Sequence, residues 1–141
     1  VTFTEAYKAV NEYRQKFPQK AVTFYAQNYP AMGWAVFMAG GSCPVIPCTD
    51  KAFLKDAAAM EVEETNTDEY KKMVKSDIGS IIYSKSGTEI PVQLSSGKYA
   101  LKYIHPASGK IETINKSLKI NGLYKLKVPD KKEGIYWFHK L

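Results

Sequence analysis

The sequence predicts α/β units in the order αβαβα over residues 1–66, a linker or short helix over 67–77, and a small antiparallel β-sandwich over 78–141. Three observations predict this. Before residue 60, apolar residues recur at helical spacing and separate two short β-prone runs. From Ile78 onward the pattern becomes short strands punctuated by turn residues. The charge balance changes at nearly the same place: residues 1–70 hold 6 Lys+Arg against 9 Asp+Glu (−3), and residues 71–141 hold 14 against 5 (+9).

The elements follow in order. Thr4 is the expected cap of a helix running to about Phe17, with Ala6, Tyr7, Val10, Tyr13 and Phe17 on one face and Pro18 closing it. The run "KAVTFYA" at 20–26 reads as a strand covered on both faces. Asn28 then caps a helix with Pro30 in its first turn, which continues through Met32, Trp34, Val36, Phe37 and Met38 to a stop at Gly40-Gly41. "SCPVIP" at 42–47 reads as a second strand, and Thr49 or Asp50 as the cap of "KAFLKDAAAM" at 51–60. Such alternation implies right-handed crossovers and a parallel sheet. Two parallel strands cannot bury both faces, and a (β/α)₈ barrel needs about 250 residues. Residues 1–66 therefore read as the closing part of a barrel. The almost wholly apolar helix at 30–39 is expected to pack on a barrel not contained in full here, supplied by the remainder of a parent polypeptide or by a second chain.

Residues 61–77 are polar, with a short helix expected at 67–75. The strands expected beyond are "IGSIIYS", "EIPVQL", "KYALKYI", "KIETI", "LKI", "LYKLKV" and "IYWFHKL", and Asn121-Gly122 is the strongest hairpin signal in the chain. Lys98, Lys102, Lys110, Lys116, Lys119, Lys125 and Lys127 stand singly among apolar residues, as on the solvent face of strands. The basic half has no Arg, the usual residue for bidentate phosphate and base contacts, so no nucleic-acid partner is expected. No run reaches the ~18 apolar residues of a membrane span. Cys43 and Cys48 are too far apart for a redox CxxC pair, and His105 and His139 offer no metal-ligand spacing, so no metal or cofactor is expected. The cysteines fit a local disulfide or two buried thiols. The chain opens on Val1 without an initiator Met or a signal h-region, which leaves export open.

The stretch "NYPAMGWAVFMAGGSCPVIP", then "FLKDAAAM", then "GKYALKYIHPASGKIETINKSLKINGLYKLKVPDKKEGIYWFHKL" resembles the end of glycoside hydrolases of gut Bacteroidetes. In these an apiosidase-like (β/α)₈ barrel precedes a small β-sandwich labelled a collagen-binding domain. The similarity covers most of the chain, with the last barrel units at about 3–62 and the sandwich at about 78–141. It implies carbohydrate chemistry and a secreted or periplasmic protein.

Glycosidases generally need two carboxylates, which in a barrel sit at the C-terminal ends of strands. In the related enzymes a Glu follows the strand matching 21–26; this sequence has Gln27 nearby, and an amide cannot act as acid, base or nucleophile. Asp50 is the one acid at either expected strand end, and it also suits a helix cap. This chain alone is therefore expected to be non-catalytic. Saccharide binding needs only aromatic faces and nearby polar groups. Tyr25, Gln27, Asn28 and Tyr29 are the first candidates, with Asp50, Trp137 and His139 beside them. In the run Tyr136-Trp137-Phe138-His139, Trp137 and His139 share a face, and the favoured reading has Trp137 packing against the preceding segment. Three functions follow: the closing portion of a glycoside-hydrolase-like protein with an accessory sandwich, a non-catalytic carbohydrate- or matrix-binding module, or a piece that completes its fold with another chain.

Overall fold

A computed structural model describes residues 2–24 and 31–141. Their elements are α1 (Phe3–Lys16), α2 (Ala31–Met38), α3 (Lys51–Ala59), β1 (Glu61–Glu63), β2 (Tyr70–Lys75), β3 (Gly79–Ser84), β4 (Glu89–Gln93), β5 (Gly97–Ile104), β6 (Ile111–Ile120), β7 (Leu123–Lys127) and β8 (Gly134–Lys140). The chain is mixed helix and strand, and its paired strands are antiparallel.

α1 begins two residues earlier than the pattern suggests, because Thr2 rather than Thr4 forms the cap. Thr2 Oγ1 accepts from Glu5 N–H at 3.2 Å and Glu5 Oε2 accepts from Thr2 N–H at 2.7 Å, a reciprocal capping box. Ala6, Tyr7 and Val10 are buried, but the expected apolar face stops there. Tyr13 and Phe17 are 56% and 40% exposed and stack on each other.

α2 ends where the double glycine predicts. Gly40, at φ +72°, donates to Phe37 O at 3.0 Å and Gly41 donates to Val36 O at 2.8 Å, the two bonds of a Schellman stop. Residues 32–39 are buried throughout. Their cover comes from α1, from Phe53 of α3 and from one face of the large sheet, so α2 does not depend on an absent barrel for burial. The parallel strands expected at 20–26 and 42–47 do not form a ladder. Residues 21–24 and 42–47 are joined by one bond, Ser42 N–H to Val22 O at 2.7 Å; Tyr25 and Ala26 lie outside the described residues. Pro44 and Pro47 lack donors, and Cys43 turns the backbone at φ +52°.

β1, β2, β3, β8, β5 and β6 form one sheet in that order, and β4 pairs with β7 in a second sheet of two strands. The helix expected at 67–75 is instead β2. Lys71 and Met73 point to the helices while Tyr70 and Val74 pack on the opposite side, a period of two that the lysines disguise. "KIETI" and "LKI" join as the single strand β6. Asn121-Gly122 makes a turn but no hairpin, since β6 pairs with β5 and β7 with β4. The chain changes sheets there.

Each face of the large sheet is covered. Met73, Ile81, Ile104, Ile135 and Trp137 pack with Trp34, Phe37 and Phe53 on the helical side. Ile82, Leu101, Tyr103, Tyr136 and Phe138 pack with Ile90, Val92 and Leu126 on the other. This double cover explains why "IYWF" in β8 is apolar without interruption.

Candidate functional site

Of the residues singled out by sequence, Tyr25, Gln27, Asn28 and Tyr29 lie outside the described residues. Asp50 caps α3, its Oδ1 accepting from Phe53 N–H at 2.9 Å. Trp137 is 0% exposed and presents no face for a sugar to stack on; it meets Phe53 edge-on at 5.3 Å between ring centroids. The favoured packing of Trp137 against the preceding segment is what the structure contains.

Trp137 and His139 do come together, on a carboxylate that sequence reasoning passed over. Asp56 Oδ2 accepts from Trp137 Nε1 at 2.9 Å and lies 2.7 Å from His139 Nδ1. Lys102, directly opposite Trp137 in the β5–β8 register, holds its ammonium 4.8 Å from the indole centroid. Asp56 is buried at a helix position between Lys55 and Ala57, where sequence alone offers no buried partner. A further bond joins α2 to the turn after β5: Trp34 Nε1 donates to Pro106 O at 2.8 Å. The arrangement can fasten α2 and α3 to the sheet; its carboxylate is already committed to two donors.

A furrow of mixed lining runs between α1 and the chain from Glu61 to Asp68. It comprises cavities of about 630 and 350 Å³ that share Asn11 and Glu64. Arg14, Gln15 and Glu61 line the larger; Tyr7, Asn66 and Asp68 line the smaller. Lys71 closes the floor, donating to Thr67 O at 3.1 Å and lying 4.7 Å from the Tyr7 ring centroid and 3.5 Å from Asp68 Oδ1. Burial, reinforced by the Glu64 charge and opposed by Arg14, pushes the Tyr7 hydroxyl up to about 12, so it stays a neutral donor. Phe37, Leu54, Met60, Val62 and Met73 also line the larger cavity, whereas the amides, carboxylates, hydroxyls and ammonium groups of the smaller one suit a ligand rich in hydroxyls. The interleaving of Lys71 with Tyr7 across 64 residues carried no local signal.

A third opening, about 440 Å³, lies between β5–β6 and β7 and has mainly apolar walls. Glu112 stands at its mouth, held below the usual carboxylate range by His105 (Nε2 to Oε1, 3.1 Å) and then by Lys132 at 3.5 Å. Among the described residues no group of three or more His, Cys, Asp or Glu side chains is placed to hold a metal, and no helix is long and apolar enough to cross a membrane.

A family model described as a domain of unknown function, DUF6298, matches residues 1–60. No curated protein matches. One solved structure, described as "Glycoside hydrolase", is similar with 16% identity and a TM-score of 0.42 over 56% of this chain and 19% of its own. The chain thus spans about a fifth of the length of that structure.

Proposed function

We propose that this chain is the closing, non-catalytic portion of an exported carbohydrate-acting protein related to glycoside hydrolases. The helices of residues 1–60 belong to its barrel end, and β1 to β8 form the accessory sandwich that braces them. The carbohydrate class rests on the sequence resemblance and on the chemistry of the α1 furrow. The observation that carries the brace is the shared core: α2 and α3 bury Trp34 and Phe53 against Trp137, and Asp56 binds Trp137 and His139. A module tethered for independent glycan capture would not spend its largest aromatic on an internal seam. Tyr13, Phe17, Val45 and Leu54 remain exposed on the helical part and offer an apolar surface to the rest of the polypeptide. Saccharide contacts fall to Tyr25, Gln27, Asn28 and Tyr29 together with the furrow, with His139 near the seam.

The test compares the parent polypeptide, the same polypeptide lacking residues 61–141, and this chain alone, on a panel of soluble polysaccharides. The intact protein should bind or cleave a polysaccharide, the truncated form should lose stability and activity together, and this chain alone should bind weakly. Equal retention of a polysaccharide by this chain and the intact protein would replace the brace with a self-contained binding module. No binding or cleavage by the intact protein would remove the carbohydrate reading.

A further inference from the structure

We infer that the slot between β6 and β7 is a binding site for a small aromatic carboxylate, independent of the saccharide chemistry above. Cores are normally packed to the density of organic crystals. Here about 440 Å³ stays open among Leu101, Tyr103, Tyr124, Leu126, Tyr136 and Ile114, within the ~300–1,000 Å³ range of ligand pockets. The cause is topological. β6 and β7 are consecutive in sequence but belong to different sheets, so their edges part after Asn121-Gly122 and leave a wedge between the layers.

The walls select against a sugar. The Tyr103 and Tyr136 hydroxyls donate at 2.7 Å to the carbonyls of Glu133 and Lys132, so neither has a proton left for a ligand. A pyranose inside would set most of its hydroxyls against Leu101, Ile114 and Leu126, which offer them no partner. A flat apolar ring needs none, and it meets the tyrosines edge-on or offset as aromatic rings prefer.

The mouth selects the sign of charge. Lys125, Lys127 and Lys132 face one acid, Glu112. Glu112 is taken by Lys132 at 3.5 Å, and Lys125 reaches Glu89 only at 3.9 Å. Lys127, opposite Glu89 in the β4–β7 register, is in no ion pair within 4 Å among the described residues. A single carboxylate on a ring seated in the slot completes that cation while the ring stays out of water.

The experiment titrates the chain with phenylpropionate, its neutral amide and glucuronate, reading backbone amide NMR shifts and binding heat. Phenylpropionate should shift amides of β5–β8 with a Kd on the order of 1 mM or tighter. Ile114→Arg, at a position 53% exposed and thus tolerant of replacement, should block the slot and abolish those shifts. Lys127→Met should weaken the acid by roughly threefold to fivefold and leave the amide unchanged. Absence of binding, equal affinity for acid and amide, preference for glucuronate, or binding that survives Ile114→Arg would each overturn the assignment. So would a concentration-dependent mass removed by Ile114→Arg, which would give the slot to a second copy of the chain.

Discussion

The Asp56 carboxylate accepts a 2.9 Å hydrogen bond from the Trp137 indole across 81 residues of sequence. Both partners are buried, so the bond joins α3 to the centre of the large sheet without competition from water. Removing the acceptor leaves the indole N–H unpaired and frees His139 from the same oxygen. Asp56→Ala should therefore cost about 2–3 kcal/mol, whereas in a Trp137→Phe background the same change should cost about 1 kcal/mol less. Urea unfolding of the four proteins measures the difference. Identical losses in both backgrounds would mean the bond contributes nothing of its own.

Gly33 reverses an ordinary helix rule. An exposed mid-helix Gly→Ala gains about 1 kcal/mol. At Gly33 an added Cβ would lie 1.8 Å from Val45 O, a backbone atom of the segment on which α2 rides. Relief requires moving the 42–47 segment or α2 itself, so Gly33→Ala should destabilise by about 1–3 kcal/mol. A rise in the melting temperature of Gly33→Ala would show that the two segments are not in close contact.

Cys43 is exposed and Cys48 is buried, and neither is in a disulfide. Burial raises the Cys48 thiol above its ordinary value, which lowers its thiolate fraction at neutral pH. Native protein should release one equivalent of chromophore rapidly with an aromatic disulfide reagent, and the second only on unfolding. Cys43→Ser should abolish the fast phase. Two fast equivalents would place Cys48 at the surface.

Much of the second half was legible because strand and turn signals act locally. The boundaries expected around "IIYS", "IPVQ", "YALKYI" and "IYWFH" match β3, β4, β5 and β8 within a residue or two. The assignment of strands to sheets was not legible: Asn121-Gly122 specifies a turn, but which partner β7 pairs with depends on contacts with β4, about 30 residues earlier. In the first half the helices followed from periodicity and capping, as Asp50 and Gly40-Gly41 illustrate. At 42–47 the apolar run suggests a strand, but Pro44 and Pro47 lack the donors that a ladder needs. β2 was missed because Lys71 occupies an inward position, its ammonium satisfied by Thr67 O and the Tyr7 ring. The candidate site followed the same division. The shared face of Trp137 and His139 could be read from strand alternation, whereas their common acceptor, Asp56, depends on how α3 docks.

The buried tyrosines set an upper pH limit for this fold. Burial raises the hydroxyls of Tyr7 and Tyr136 to about 12, with Tyr103 adding to the effect on Tyr136. Tyr83, which donates to Glu133, and Tyr99 and Tyr103 are shifted upward too, again chiefly by burial. The folded state therefore holds these protons more tightly than the unfolded chain, where tyrosine titrates near pH ~10. Their contribution is complete below pH ~10 and declines as pH rises toward ~12, because only the unfolded state gains by ionising. Urea midpoints should be level from pH ~8 to ~9.5 and fall above pH ~10, with phenolate absorbance rising as structure is lost. Tyr136→Phe should flatten part of that decline while costing about 1 kcal/mol at neutral pH, since its bond to Lys132 O is lost. A midpoint that stays constant up to pH ~11 would show that these hydroxyls ionise as readily inside the fold as outside it.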